Sequence, residues 1–294
     1  MTPPSLDRRG FLQVGGGAAA AGLLGLGPAH AAAGAKARVV LVRRREVLDA
    51  EGRVNGPVIH AMLNEALCAL LGEKDAAAAW RRLVKPGDVV GVKSNVWGRL
   101  PTPPELEQAI RDEVVGAGVS PANVAVDDRG VRSNPVFQRM TALVNVRPMR
   151  THAWSGLGTC LKNPIMFVEN PPDYHADACA SLGALWHLPQ LEGKGRLNVL
   201  VMLTPQFHSV GPHSFAKELT WPYYGLIVGL QPVPVDATGA RVIQAKRRQH
   251  FGEDRPISPS PHHIEIAGAR YGLGPSDPAQ IDLVRLGLAE DALL

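Results

Sequence analysis

The chain has 294 residues, 45% of them hydrophobic and 20% charged, with a formal net charge of +4. That size and mix suit one large globular domain with an ample core, and so small a net charge leaves no electrostatic footprint of nucleic-acid binding. Three cysteines without a C-x-x-C pair argue against a self-contained iron–sulfur cluster.

The first 31 residues carry their own pattern. Arg8 and Arg9 stand just before Phe11-Leu12, a Gly/Ala/Leu stretch follows from Val14 to Gly27, and Ala29-His30-Ala31 offers small residues around a cleavage point. Charged region, apolar region and A-x-A site in that order predict a twin-arginine (Tat) secretion signal. The Tat translocation machinery is therefore an expected partner, and the expected location is the periplasm or another exported compartment. Six glycines between Gly15 and Gly27 make the stretch too weakly apolar for a good membrane span. No later segment is continuously apolar over a membrane-spanning length, so the mature form is expected to lack a span.

Residues 32–294 are expected to form a single large α/β domain. Ala37–Val42 predicts a strand, and Val58, Ile59, Met62, Leu63, Ala66, Leu67 and Leu70 recur at helical spacing, placing Cys68 in the core. A second helical piece covers Asp75–Leu83. Val89–Lys93 is a strand of the buried type, and a helix starting near Thr102 runs to about Val115. Asn123–Val126 is the next strand, delivering Asp127 and Asp128 at its end. Pro135–Leu143 is expected to be a helix, residues 151–175 a loop, and Ala176–Trp186 a helix. Leu197–Leu203 and the apolar run Tyr224–Leu230 follow, then a helix from Pro232 through about Lys246 and a terminal edge strand at Ile281–Val284. Alternation of strand and helix predicts a mostly parallel, mixed sheet flanked by helices, with two lobes and a cleft as the alternative arrangement.

Several chemistries are disfavoured. No G-x-G-x-x-G follows the first strand and no Walker sequence is present, so NAD and P-loop nucleotides are not expected. Ser155 and Ser209 lack a G-x-S-x-G context. The basic runs Arg43–Arg45 and Lys246–Arg248 are short and without interleaved aromatics, as in solvated flanks. Cys160 and Cys179 are a candidate disulfide in an oxidising compartment.

Ligands of open parallel sheets bind beyond the carboxyl ends of the strands. Lys93, Asn95, Asp127, Asp128 and His208 fall at such ends, and Lys162, Asn163 and Asp236 join them through loops and a helix start. In an enzyme, Lys93 and Lys162 would face a small anionic substrate, His175 or His208 would serve as acid or base, and Asp236 or Asp127 would orient a partner. Asn95, Asp127 and Asn163 are candidates for binding a cofactor. His152, His175, His208, His213, Asp127, Asp173 and Asp236 are the candidate metal ligands, and His175, His208 and Asp236 are the set expected if a divalent metal is held.

The series Val92-Lys93-Ser94-Asn95, Thr102-Pro103-Pro104-Glu105, the strand ending at Asp127, Leu161-Lys162-Asn163, His175, Gly229 through Gly239 and Gly272-Leu273-Gly274 resembles the family called domain of unknown function 362. It spans most of residues 85–285. The resemblance implies a fold similar to part of the nickel-pincer lactate racemases and points to Lys93, Asn95, Lys162, Asn163, His175 and Asp236 as the recurrent polar residues. Where that family commonly places an acidic residue after the strand at Leu197–Leu203, this chain has Thr204-Pro205-Gln206-Phe207-His208. Three functions remain open from sequence: an enzyme acting on a small anion, a non-catalytic metal or small-ligand binding protein, and an interaction protein using the proline-rich tail.

Overall fold

The computed structural model describes residues 36–209 and 214–294. The expected signal at 1–31 and His213 lie outside the described residues. The order of elements is β1 (Ala37–Arg43), α1 (Gly56–Leu71), α2 (Ala76–Leu83), β2 (Val90–Lys93), α3 (Pro104–Gly116), β3 (Val124–Asp127), α4 (Pro135–Gln138), β4 (Ala142–His152), β5 (Gly156–Gly158), α5 (Ala176–Cys179), β6 (Gly195–Gln206), β7 (Gly225–Gly229), α6 (Pro232–Phe251), α7 (His263–Tyr271) and β8 (Ile281–Gly287). Two longer 3-10 segments, Cys160–Phe167 and Ala180–His187, cross the irregular middle.

Local chemistry explains the regular parts. Asn55 caps α1 by accepting from Val58 N at 3.3 Å, and Asp75 caps α2 by accepting from Ala78 N at 2.7 Å. In α1 the buried residues are Ile59, Met62, Leu63, Ala66, Leu67 and Leu70, one face at 3.6 periodicity. Cys68 lies at the margin of that face and is partly exposed rather than a core residue. Thr102 does not cap α3: its hydroxyl accepts from Asn95 N at 3.1 Å and pins the loop after β2, while Pro103 takes the capping position.

All eight strands join one sheet, in the order β3-β2-β4-β6-β7-β1-β8, with β5 hairpinned onto β4. Pairings β2/β3, β2/β4, β4/β6 and β1/β8 are parallel, and β7 runs antiparallel to both neighbours. This is an α/β fold with a mixed sheet flanked by helices. One face, with Val40, Val42, Val144, Val146 and Val199, packs under α1, α2 and α3. The other, with Val39, Leu41, Leu143, Met149 and Leu200, packs under α6, α7 and the 3-10 segments. Among the described residues no helix is long and apolar enough to cross a membrane.

Three segments differ from expectation. The helix at 135–143 stops after one turn, because residues 142–152 form β4, a wholly buried central strand. Proline and polar residues disguise it: Pro148 cannot donate to a ladder, and the register shifts between Pro148 and Arg150 to accommodate it. The loop expected at 151–175 holds the end of β4, β5 and a buried 3-10 segment. The helix expected at 176–186 is broken by left-handed backbone at Asp177, Ala178 and Cys179. Cys160 and Cys179 are free thiols rather than a disulfide.

Candidate functional site

Parallel β2, β3, β4 and β6 deliver their carboxyl ends to one edge of the sheet. Lys93 ends β2 with its side chain wholly buried. Its ammonium pairs with the carboxylate of Asp128 and donates to Ser94 O at 2.7 Å. Burial pulls Lys93 down to about 8, against the opposing pull of Asp128. The other Asp128 oxygen accepts from Val96 N at 2.9 Å. Asp127 is turned elsewhere. It accepts from Gly130 N at 2.8 Å and Asn134 Nδ2 at 3.0 Å, fixing the turn into α4, so the acid that meets Lys93 is its neighbour.

Asn163 ties β2 to β4. Its Nδ2 lies 3.1 Å from Lys93 O, 2.8 Å from Asn145 Oδ1 and 3.0 Å from Val146 O, while its Oδ1 stands 3.4 Å from Lys93 Nζ and 3.5 Å from Asn95 Nδ2. Lys93, Asn95 and Asn163 are therefore brought together as the sequence suggested. Asp236, in the second turn of α6, accepts from Cys160 N at 2.9 Å and Leu161 N at 2.8 Å. It clamps the residues immediately before Lys162 and Asn163 to the helix. Burial pushes Asp236 up to about 7, outweighing those two N–H bonds and the field of Arg147.

Arg147 was not anticipated and sits at the centre. By strand alternation it shares a face with Leu143, Asn145 and Met149. It is 3% exposed, and its Nε has no hydrogen-bond partner. Its charge lowers the proton affinity of Lys93, Lys162, Arg150, His152 and His263. Arg150, also buried, lies with its guanidinium carbon 4.0 Å above the ring of Trp97, and burial followed by Arg147 brings it down to about 9. Lys162 is 3% exposed, donates to Cys179 Sγ at 3.6 Å, and is drawn to about 8 chiefly by burial.

Neutral imidazoles border the cations. His152 accepts at Nδ1 from Trp154 N at 3.2 Å, and burial drives its pKa far below the ordinary histidine range. Trp154 bridges it to His175, with centroids 4.2 Å apart on the His175 side; burial and then Lys162 hold His175 at about 4. His263 opens α7 with no exposure and with neither ring nitrogen hydrogen-bonded; burial and then Lys162 hold it at about 3.

His208 is not part of this group. Its Nδ1 lies 2.9 Å from Arg247 Nη1 near the far end of α6, and its pKa is lowered by burial and then by Arg247. Eleven residues separate Asp236 from Arg247, about 16 Å along a helix. The expected metal set His175, His208 and Asp236 therefore does not converge, and no cluster of three or more His, Cys, Asp or Glu is placed to hold a metal among the described residues. A cleft of about 360 Å³ on the α1/α3 face is lined mainly by Leu48, Leu100, Pro101, Pro103, Pro148 and Val201, and by none of the candidate catalytic, cofactor-binding or metal-ligating residues.

No family model, curated protein or solved structure matches the chain. What the arrangement can do must come from its chemistry. It gathers four buried basic side chains around two carboxylates, one of them raised to about 7, with neutral imidazoles beside them. Such a group is short of negative charge and short of hydrogen-bond acceptors. Two arginines three residues apart, Arg147 and Arg150, among Val144, Val146 and Met149 were the available sequence signal.

Proposed function

We propose that this protein binds a small anion at the carboxyl ends of β2, β3 and β4 and acts on it as an enzyme. The observation that carries the reading is Arg147: a guanidinium 3% exposed, with Nε unpartnered and with no ion pair among the described residues. Lys93, by contrast, has its charge balanced by Asp128. A buried unpaired charge is costly, and natural sequences retain one where a ligand supplies the counter-charge. Arg147 offers a planar fork for a carboxylate or other oxyanion, and Lys162 adds a mobile point charge.

His152 and His175 stay unprotonated near neutral pH and so add no positive charge beside the anion; of the two, His175, at about 4, is the stronger base and the candidate to take a proton from a bound substrate. Asp236, Asn145 and Asn163 hold the frame. Lys93, Asn95, Lys162, Asn163 and Asp236, which are among the residues of the resemblance to the domain of unknown function 362 family, belong to this group, but the proposal rests on site chemistry. Export by the Tat route belongs to the same reading, since a folded domain with a preorganised polar interior suits that pathway.

The test is thermal unfolding of the mature protein across a panel of phosphate, sulfate, malonate and 2-oxo acids, with Arg147→Met alongside. Saturable stabilisation by at least one anion, absent from the variant, is the expected result. No stabilisation by any of them at 10 mM, or an equal response in Arg147→Met, would overturn the proposal.

A further inference from the structure

Cys179 lies at the same centre without a part in the reading above. It is wholly buried, and its Sγ is 3.6 Å from Lys162 Nζ. The backbone that carries it is strained: Asp177, Ala178 and Cys179 have φ of 47°, 47° and 66°, three consecutive left-handed residues without a glycine. His262 braces this turn through Nε2, 2.8 Å from Asp177 O. The next residue, His263, brings both of its unpartnered ring nitrogens within electrostatic reach of Lys162. A neutral imidazole always carries one N–H, so His263 holds a buried donor with nothing to donate to.

We propose that Cys179 is a nucleophilic thiol, that Lys162 takes its proton, and that its substrate is a small anionic carbonyl compound such as a 2-oxo acid. This rests on the anion-binding reading, since Arg147 would seat the carboxylate. In the step, the Sγ–H proton passes to the Lys162 amine and the sulfur adds to the carbonyl carbon, forming the C–S bond. The carbonyl π pair moves onto oxygen, where the unused N–H of His263 receives it. The Lys162 ammonium then returns the proton to that oxygen, giving a thiohemiacetal with no other reactant. A lysine poised near 8 exchanges protons readily at neutral pH, and its charge once protonated favours the thiolate. Burial outweighs Lys162 and keeps the resting Cys179 thiol above its ordinary value, so the thiolate forms only as the proton passes to Lys162.

Alkylation of the mature protein with iodoacetate and with iodoacetamide, mapped by peptide mass spectrometry, tests the assignment. Cys68, partly exposed and remote from the cations, is the internal reference. Cys179 should react at least tenfold faster with iodoacetate than with iodoacetamide, the reverse of the preference at Cys68, and glyoxylate should protect it. Lys162→Arg, which keeps the charge but cannot accept the proton, should retain the preference for iodoacetate and lose at least tenfold in rate; Lys162→Met should lose both. An unmodified Cys179 when Cys68 is fully labelled, or the same reagent preference at both, overturns the proposal, as does an unchanged rate in Lys162→Arg. Anion-induced stabilisation surviving in Cys179→Ser would show that such a failure belongs to the thiol, whereas its absence from the unaltered protein would remove the anion reading itself.

Discussion

Replacing Arg147 with methionine should make the anion-free protein more stable. The unpartnered Nε by itself costs about 1–3 kcal/mol, and exchange of a buried charged group for a well-packed apolar one of similar volume can stabilise by about 1–4 kcal/mol. Methionine keeps the unbranched stem that packs beside Met149 and leaves the β4 ladder untouched. For a domain of this size each kcal/mol is worth roughly 2–4 °C, so an increase of about 2 to 16 °C is expected in anion-free buffer. Saturating anion should reverse the comparison, because a ligand at 100 times its Kd adds about 2.7 kcal/mol to the unaltered protein alone. The assay is urea unfolding followed by tryptophan fluorescence, with and without the anion. A variant less stable than the parent by about 3 kcal/mol or more would refute the reasoning, since it would mean that the guanidinium is a satisfied structural group.

The buried Lys93–Asp128 pair should behave in the opposite way: Asp128→Asn strands the ammonium and should cost about 3–5 kcal/mol, most of it recovered in the double variant with Lys93→Met. Additive losses in a double-mutant cycle would contradict this. Asp236 is held at about 7 when folded against an ordinary value near 4, so the folded protein keeps a proton that the unfolded chain releases. That contribution is complete below about pH 4 and is lost as pH rises through about 7. The stability of the parent should therefore fall relative to Asp236→Asn between pH 4 and 8, by a few kcal/mol at most, and parallel pH profiles would contradict the assignment. Replacing Arg8 and Arg9 together by lysine should leave the full-length chain in the cytoplasm, as cell fractionation would reveal; undiminished export would rule out the twin-arginine route.

Helical spacing of apolar residues determined α1, and short apolar runs determined β2, β3 and β6, because burial of those segments leaves its mark in the sequence. Strand ends then pointed to Lys93, Asn95 and Asn163, which do meet, and to Asp236, which anchors the residues before Lys162 from one helix away. The polar part of the core was hidden by its own chemistry. Residues 142–152 are buried, yet Asn145, Arg147, Pro148, Arg150 and His152 erase the alternation that would mark a strand, so β4 looked like the end of a helix and the start of a loop. Asp127 and Asp128 are indistinguishable in sequence, and only the turn at Gly130 decides which of them faces Lys93. His208 looked equivalent to His175 until packing set it against Arg247 near the far end of the 20-residue α6, while His175 stacks on Trp154. Cys179, Lys162 and His263 are separated by long stretches of chain and share no period. Tertiary packing alone brings them together, because a site assembled from side chains across a sheet leaves its pattern in space rather than along the sequence.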